Sequence, residues 1–261
     1  MERYLIPSVG SACELIRILS KNSKGMTSQQ IETALDLPRT TVYRLLRTLC
    51  AEQMIEKRNR KYFCGSDLVN IGLQIINSYQ LHQVAIPHLQ RLALITGHSA
   101  HLAIPHQGSA LIVEVVDSPH PLKVASRPGV HALMHCSSTG KVFLAFLYYD
   151  NLDLMFENQP LKKCTPKTIT DLHTLKKELQ GVMALGYAVD DQEYNMDVRC
   201  VAVPVRDVRG MVIAAVGITA PEETFTKSQI PMMASKVKEA AYAIYKDSYA
   251  LAMVPRISFT N

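Results

Sequence analysis

No stretch of the 261-residue chain is apolar for long enough to span a bilayer, and no leader-type apolar segment opens it, so a cytoplasmic protein without a membrane partner is expected. The six cysteines, at positions 13, 50, 64, 136, 164 and 200, never form a C-x-x-C pair. That scatter suits reduced thiols better than a disulfide framework or a zinc knuckle. Internal repeats and low-complexity segments are absent. Most of the chain also lacks any excess charge. Of 28 Lys+Arg and 23 Asp+Glu, residues 1–66 hold 11 and 6, leaving 17 of each sign in the remainder. The whole net charge of +5 therefore belongs to the first quarter. A local basic excess is the electrostatic footprint of a polyanion binder; the neutral remainder must serve another purpose. At this length, one large or two ordinary domains are expected, and the 48% hydrophobic content is ample for a sizeable core.

Within the basic quarter, Gly25–Gly65 reads as a helix-turn-helix followed by a basic hairpin. A first helix is predicted over Ser8–Ser20, with Ala12, Leu15, Ile16 and Leu19 forming an apolar stripe. Thr27 and Gln30 have capping-box spacing and open a second helix, with Ile31 and Ala34 turned inward. Leu35-Asp36-Leu37 makes the turn, and Pro38 suits the first position of a third helix. That helix keeps Val42, Leu45, Leu46 and Leu49 on one face; at about 100° per residue, Thr40, Arg44 and Arg47 fall opposite. This is what major-groove reading requires: an apolar side that anchors the helix and a donor-rich side that reaches base edges. Met54–Lys57 and Lys61–Cys64 read as two strands, with Arg58-Asn59-Arg60 as a basic tip suited to phosphate or the minor groove. A basic turn alone is an ordinary solvated turn, and an amphipathic helix alone is ordinary packing. The ordered series of helix, capped helix, Pro-led helix and basic hairpin is what argues for a DNA-binding module over 1–66. Candidate contacts to a double-stranded operator are Thr27, Ser28, Arg39, Thr40, Thr41, Tyr43, Arg44, Arg47, Arg58, Arg60 and Lys61.

Residues 67–80 are expected to form a linker helix carrying Leu68, Ile71, Ile75 and Ile76, within Asp67–Tyr79. From residue 81 to 261 the pattern alternates. A helix over Leu81–Thr96 presents Val84, Leu89, Leu92 and Ile95; strands follow at Ser99–Ile104 and Ala110–Val116. Helices are predicted at Thr139–Leu147, Asp171–Leu185 and Gln229–Lys246, with a hairpin of Val198–Arg206 and Met211–Thr219 between the last two. The order implies an α+β domain with an antiparallel sheet.

Two places in this larger part carry chemistry. Ser137-Ser138-Thr139-Gly140-Lys141 opens a helix, where N–H groups and hydroxyls make an anion site, although simple N-capping accounts for the same residues. It is not a P-loop: His135 stands where the first glycine belongs, and Val142 follows the lysine. Asp190-Asp191-Gln192-Glu193 offers three carboxylates; in an extended chain Asp191 and Glu193 share one face and Asp190 takes the other. Cys200 opens an apolar strand and reads by default as a small buried hydrophobe.

Three separated segments in register, LPRTTVYRLLRTL, MHCSSTGKVFLAFL at 134–147 and GYAVDDQEYNMDVRCVAVPVRDVRGMVIAAVGITAP at 186–221, resemble the IclR family of bacterial transcription regulators over about residues 8–245. The resemblance implies a winged helix-turn-helix, a linker helix that helps pair two modules, and a GAF-like effector domain that also oligomerises. It implies a homodimer or homotetramer that is more often a repressor, controlled by a small carboxylate effector, without enzymatic activity, cofactor or metal. It places the effector among Ala132 and Leu133 as apolar wall, Ser138 and Thr139 as N–H donors, Asp190 as acceptor, Cys200 as floor, and Gly217 and Thr219 from the last strand. Three positions depart from the family pattern. Gln53 and Asp197 stand where glycine is usual, at sites expected to need φ > 0. Gly217 replaces a frequent serine and is expected to enlarge the pocket and alter its ligand preference. Two rival readings remain. A metal- or redox-responsive regulator could use His135 and Cys200 with His98, His101, His106, His131 and Asp190. A cysteine-dependent enzyme could use Cys136 or Cys200 with His135 and Asp190.

Overall fold

The computed structural model describes residues 6–78, 80–121, 124, 127–157 and 160–253, and only the backbone of residues 73, 75–78, 80 and 249–253. The chain forms two compact units that divide between residues 79 and 80.

The first unit comprises α1 (Pro7–Ser20), β1 (Met26–Thr27), α2 (Ser28–Leu35), α3 (Arg39–Ala51), β2 (Ile55–Arg58), β3 (Lys61–Cys64) and α4 (Ser66–Ser78). Leu15, Leu19, Ile31, Val42, Leu46, Leu49, Ile55 and Tyr62 share its core. The capping box is formed: the Gln30 N–H donates to Thr27 Oγ1 at 3.3 Å, and the Thr27 N–H donates to Gln30 Oε1 at 2.9 Å. Asp36 ends α2 in the left-handed region at φ 50°. Three details differ from expectation. Ala34 is exposed, and half-buried Leu35 and Leu37 take its place against the core. Pro38 is the N-cap of α3 rather than its first residue. The wing also gains a third strand, in the order β1-β3-β2, and Arg58 closes β2 instead of sitting at the tip. The turn proper is Asn59-Arg60, at φ 45° and 65°, the two left-handed residues of a tight hairpin. In α4, which covers most of the expected linker helix, Leu68 is half-buried; the side chains of Ile75 and Ile76, and Tyr79 as a whole, lie outside the described residues.

The second unit comprises α5 (Gln80–Thr96), β4 (Ser99–His106), β5 (Ser109–Val116), β6 (His131–Leu133), α6 (Ser138–Leu147), α7 (Leu152–Phe156), α8 (Leu172–Leu185), β7 (Ala188–Asp191), β8 (Val198–Arg206), β9 (Val212–Pro221) and α9 (Ile230–Met253). Its six strands form one antiparallel sheet in the order β6-β5-β4-β9-β8-β7. Side chains alternate across a sheet, and here the alternation assigns each face a helix layer. Leu102, Val201, Val203, Val205, Val216 and Ile218 pack with α5 and α9. Ala103, Ala188, Ala202 and Ala215 pack with α6 and α8 on the opposite face. The second set is small, so α6 can approach the sheet closely. Gly140 serves the same end: a Cβ there would collide with the Met134 and Leu133 backbone. Asp171, expected as the first residue of α8, is its N-cap, and Gly186 ends the helix at φ 71°. Ile95, expected to face inward, is exposed near the end of α5.

Candidate functional site

On the first unit, α3 buries Val42, Leu45, Leu46 and Leu49 and leaves Arg39, Thr40, Tyr43, Arg44 and Arg47 exposed on its outer side, with Thr41 half-buried. Arg47 lies 6.0 Å from the Tyr43 ring centre, so the two present one combined flank. Other candidate contacts are already engaged. The Thr27 hydroxyl caps α2, whereas Ser28 is exposed. Lys61 Nζ donates to the Lys24 carbonyl at 3.2 Å. Arg58 pairs with Glu56 on its own strand and stacks over Phe63 at 5.6 Å. Arg60 is the exposed cation of the turn itself.

On the second unit, strand register assembles a polar row. Asp190 pairs with Cys200 across β7–β8, and Cys200 pairs with Thr219 across β8–β9. All three project to the face covered by α6, whose first residues supply the facing wall. Ser137 is the N-cap and accepts the Gly140 N–H at 3.1 Å, while its carbonyl accepts the Lys141 N–H at 2.9 Å. Ser138 and Thr139 occupy the first turn, where backbone N–H groups have no partner within the helix. Ser137 thus caps the helix, and the next two residues face a cavity. The cavity measures about 120 Å³ and draws its lining from Ala132, Ser138, Thr139, Asp190, Cys200 and Thr219, joined by His101, Tyr194 and several apolar side chains.

Two expected members are elsewhere. Leu133 does not line the cavity; its carbonyl accepts the Ser137 hydroxyl at 2.6 Å and anchors the start of α6. Gly217 lies in the next row, between Ala202 and His101. A Cβ on Gly217 would stand 2.7 Å from His101 Nε2 and 2.8 Å from the Val201 carbonyl. The missing side chain therefore does not enlarge the pocket; the His101 ring fills the space.

Burial sets the electrostatics. It pushes the Asp190 carboxyl up to about 7, against the pull of the Glu193 and Tyr194 N–H groups that donate to Oδ1 at 2.7 and 3.2 Å. It drives the His101 imidazole down to about 4, so His101 is neutral at neutral pH. It also raises the Cys200 thiol, with the Asp190 charge adding to the effect. Asp191 and Glu193 do not share a face. β7 ends at Asp191, Gln192 turns left-handed at φ 65°, and the two carboxylates separate. Asp191 pairs with Arg199 and Lys227. Glu193 pairs with Lys141 Nζ at 2.7 Å, and Glu178 pairs with the same ammonium at 2.8 Å. Burial opposes the charge on Lys141, but these two carboxylates outweigh it and hold its pKa above the ordinary value.

Of the histidines expected to converge, His106 and His131 pair with ring centres 5.4 Å apart and His101 lines the cavity, while the others lie elsewhere. His135 Nε2 meets the Lys162 carbonyl at 2.9 Å, His131 Nδ1 meets Ser109 Oγ at 2.7 Å, and His98 stacks on Phe225. Among the described residues, no group of three or more His, Cys, Asp or Glu is placed to hold a metal ion. The sequence reading had named His101 only as a possible metal ligand and missed Tyr194 altogether. Position 101 shares strand parity with the small inward residue Ala103, the one signal that could have placed it on this face.

Comparison with known proteins gives two domain matches. Residues 8–59 match the model of the IclR helix-turn-helix domain, and residues 73–246 match that of the bacterial transcriptional regulator IclR C-terminal domain. The chain is 27% identical over 229 residues to the HTH-type transcriptional repressor AllR of Escherichia coli (strain K12), covering 87% of this chain and 84% of that protein. A crystal structure of a putative transcriptional regulator from Rhodococcus sp. RHA1 aligns with a TM-score of 0.82 at 26% identity, over 95% of this chain and all of that one. An IclR homolog from Microbacterium hydrocarbonoxydans, crystallised with 4-hydroxybenzoate, aligns with a TM-score of 0.80 at 23% identity, over 93% of this chain and 99% of that one. Among the described residues, no helix is long and apolar enough to cross a membrane.

Proposed function

The chain belongs to the IclR family of bacterial transcriptional regulators, and we propose that a compact organic acid held at Asp190 controls the binding of its first unit to an operator. The observation that carries this reading is the pairing of the α6 N-terminus with the Asp190–Cys200–Thr219 row across one small cavity. The two free N–H groups of Ser138 and Thr139, with the positive end of the helix dipole, suit a carboxylate. Asp190 on the opposite wall suits a hydroxyl or the hydrate of an oxo group. The 4-hydroxybenzoate bound to the Microbacterium homolog supports an acid of this kind, and the names of the AllR relatives support repression. The raised thiols of Cys136 and Cys200 count against a cysteine nucleophile.

On the DNA side, exposed Arg44 on α3 reads a base edge and Arg60 at the wing turn meets phosphate. The protein acts as a homodimer or homotetramer, each module meeting one half-site of a palindrome. A ligand shifts operator affinity only through its different affinities for the two subunit arrangements. The test is fluorescence anisotropy with a selected operator and with random DNA, alongside calorimetry with short oxo and hydroxy acids and with 4-hydroxybenzoate. Arg44→Ala should weaken specific binding by about 1–3 kcal/mol and random binding far less. Arg60→Ala should weaken both alike and lower the salt slope by about 0.9. Equal losses on both DNAs for Arg44→Ala would remove the base-reading assignment. Failure of every acid to bind, or binding undiminished by Asp190→Ala, would remove the effector assignment.

A further inference from the structure

Gly217 and Thr219 belong to the same strand, β9, yet only Thr219 lines the cavity. His101 stands in the glycine's place. It pairs with Gly217 across β4–β9, is buried, and lines the cavity itself. Its ring is fixed from two sides. Nε2 and Cε1 lie 2.7 and 2.9 Å from the place that a Gly217 Cβ would occupy, so the ring uses the space which that glycine leaves. Nδ1 lies 3.4 Å from Thr219 Oγ1, and the Thr219 hydroxyl donates to Cys200 Sγ at 3.3 Å, so the ring also borders the polar row. Beyond Gly217 the next partner is Ala202, which sets one large side chain beside two of the smallest. Close packing of this kind leaves the imidazole little freedom to move aside. What remains open is about 120 Å³. A water takes up about 30 Å³ of the liquid, so the cavity has room for about four. Pockets for drug-sized ligands measure about 300–1,000 Å³.

We propose that His101 sets the size of acid that the cavity accepts: its ring, seated over Gly217, admits short oxo and hydroxy acids and excludes aromatic ones. The inference rests on the reading of this cavity as the effector site. The ring acts by volume rather than by charge. Burial drives its pKa down to about 4, so at neutral pH it brings no positive charge to a carboxylate. The carboxylate is left to the Ser138 and Thr139 N–H groups, and the oxo or hydroxyl group to Asp190. With both polar ends of a short acid taken up in this way, the imidazole limits what else the acid can carry. Cutting the side chain back to Cβ would open the space over Gly217 and Ala202 to the cavity.

The test is calorimetry on the full chain with glycolate, lactate, a series of longer straight-chain 2-hydroxy acids, and 4-hydroxybenzoate. In the parent, affinity should drop by about tenfold or more at the first acid too long for the cavity, and 4-hydroxybenzoate should not bind. His101→Ala should move that limit to longer acids and bind 4-hydroxybenzoate at least about tenfold more tightly than the parent does. His101→Val should do the same to a lesser degree, and His101→Leu, close to the ring in volume, should keep the parent's limit. Adding Asp190→Ala to His101→Ala should abolish the gain, which places it in this cavity. Melting curves identify the variants that fold; if neither truncation does, the length series in the parent decides. Three results would overturn the size assignment and leave the acid site standing. They are an affinity in the parent that climbs evenly with length, 4-hydroxybenzoate bound by the parent, and a folded His101→Ala that binds lactate but still refuses 4-hydroxybenzoate. A gain that survives Asp190→Ala would overturn it as well. No acid bound by the parent or by any variant would overturn both readings.

Discussion

Asp190→Asn isolates a single charge in the polar row. The carboxyl has an ordinary value of 3.8 and is pushed up to about 7 in the folded chain. The folded state therefore holds a proton that the unfolded state has lost throughout that window. Below pH 3.8 both states are protonated and the group adds nothing to the pH dependence. As pH rises toward 7, stability falls with a slope of about 1.4 kcal/mol per pH unit, and the loss is complete above 7 at about 4 kcal/mol. The side chain is 2% exposed, so solvent screening removes little of this. Asparagine keeps the oxygen that accepts the Glu193 and Tyr194 N–H groups but cannot ionise. Chemical denaturation of both proteins at pH 4, 6 and 8, followed by a probe in the second unit, measures the effect. The parent should lose stability relative to Asp190→Asn across this range, and the variant should be the more stable of the two at pH 8. Parallel stability profiles would refute the reasoning, because they would mean that Asp190 is ionised in the folded state at no cost.

Two further substitutions test backbone and packing. Gln53 holds φ 55° at the end of α3, where a side chain is strained, so Gln53→Gly should stabilise the first unit by up to about 1 kcal/mol, read as a higher urea midpoint at unchanged slope. Gly217→Ser should destabilise the second unit by about 1–3 kcal/mol, since the new Cβ meets both the His101 ring and the Val201 carbonyl. Combining it with His101→Ala should recover only part of that loss, because the contact with the carbonyl remains; full recovery would show that the ring alone sets the limit.

Local chemistry was legible in the sequence wherever one segment determines its own geometry. The Thr27–Gln30 capping box and the Ser137 cap follow from neighbours within a few positions, whereas the positive φ at Gln53 and Asp197 (φ 60°) was implied by the glycine usual there in the family. The apolar face of α3 followed from its period. Period alone does not say how far a partner extends, however. Ala34 and Ile95 lie on the expected helices yet reach past the packing partner into solvent. Contacts made by register or by long loops left no local trace. The Lys141–Glu193 pair joins positions 52 apart, and His101 rests over Gly217 only because β4 and β9 pair in that register. The carboxylate parity failed for a physical reason: alternation holds only while the chain stays extended, and Gln192 ends the extension one residue after β7.

These long-range contacts join the two walls of the cavity. Asp190 Oδ1 holds the N–H groups of Glu193 and Tyr194, which sets the turn after β7. The Glu193 carboxylate in turn grips Lys141, one helical turn into α6 from the cap that presents the Ser138 and Thr139 N–H groups. Lys141 is fully buried, and Glu193 is 8% exposed with Oε2 unpaired. Separating such a pair leaves an uncompensated charge in a low-dielectric interior, at a cost of about 3–5 kcal/mol. That is more than the roughly 1–3 kcal/mol by which allosteric sites are typically coupled. A ligand that parted the α6 wall from the Asp190 wall would have to meet this cost out of its own binding energy, and the link therefore favours the two walls shifting as one piece.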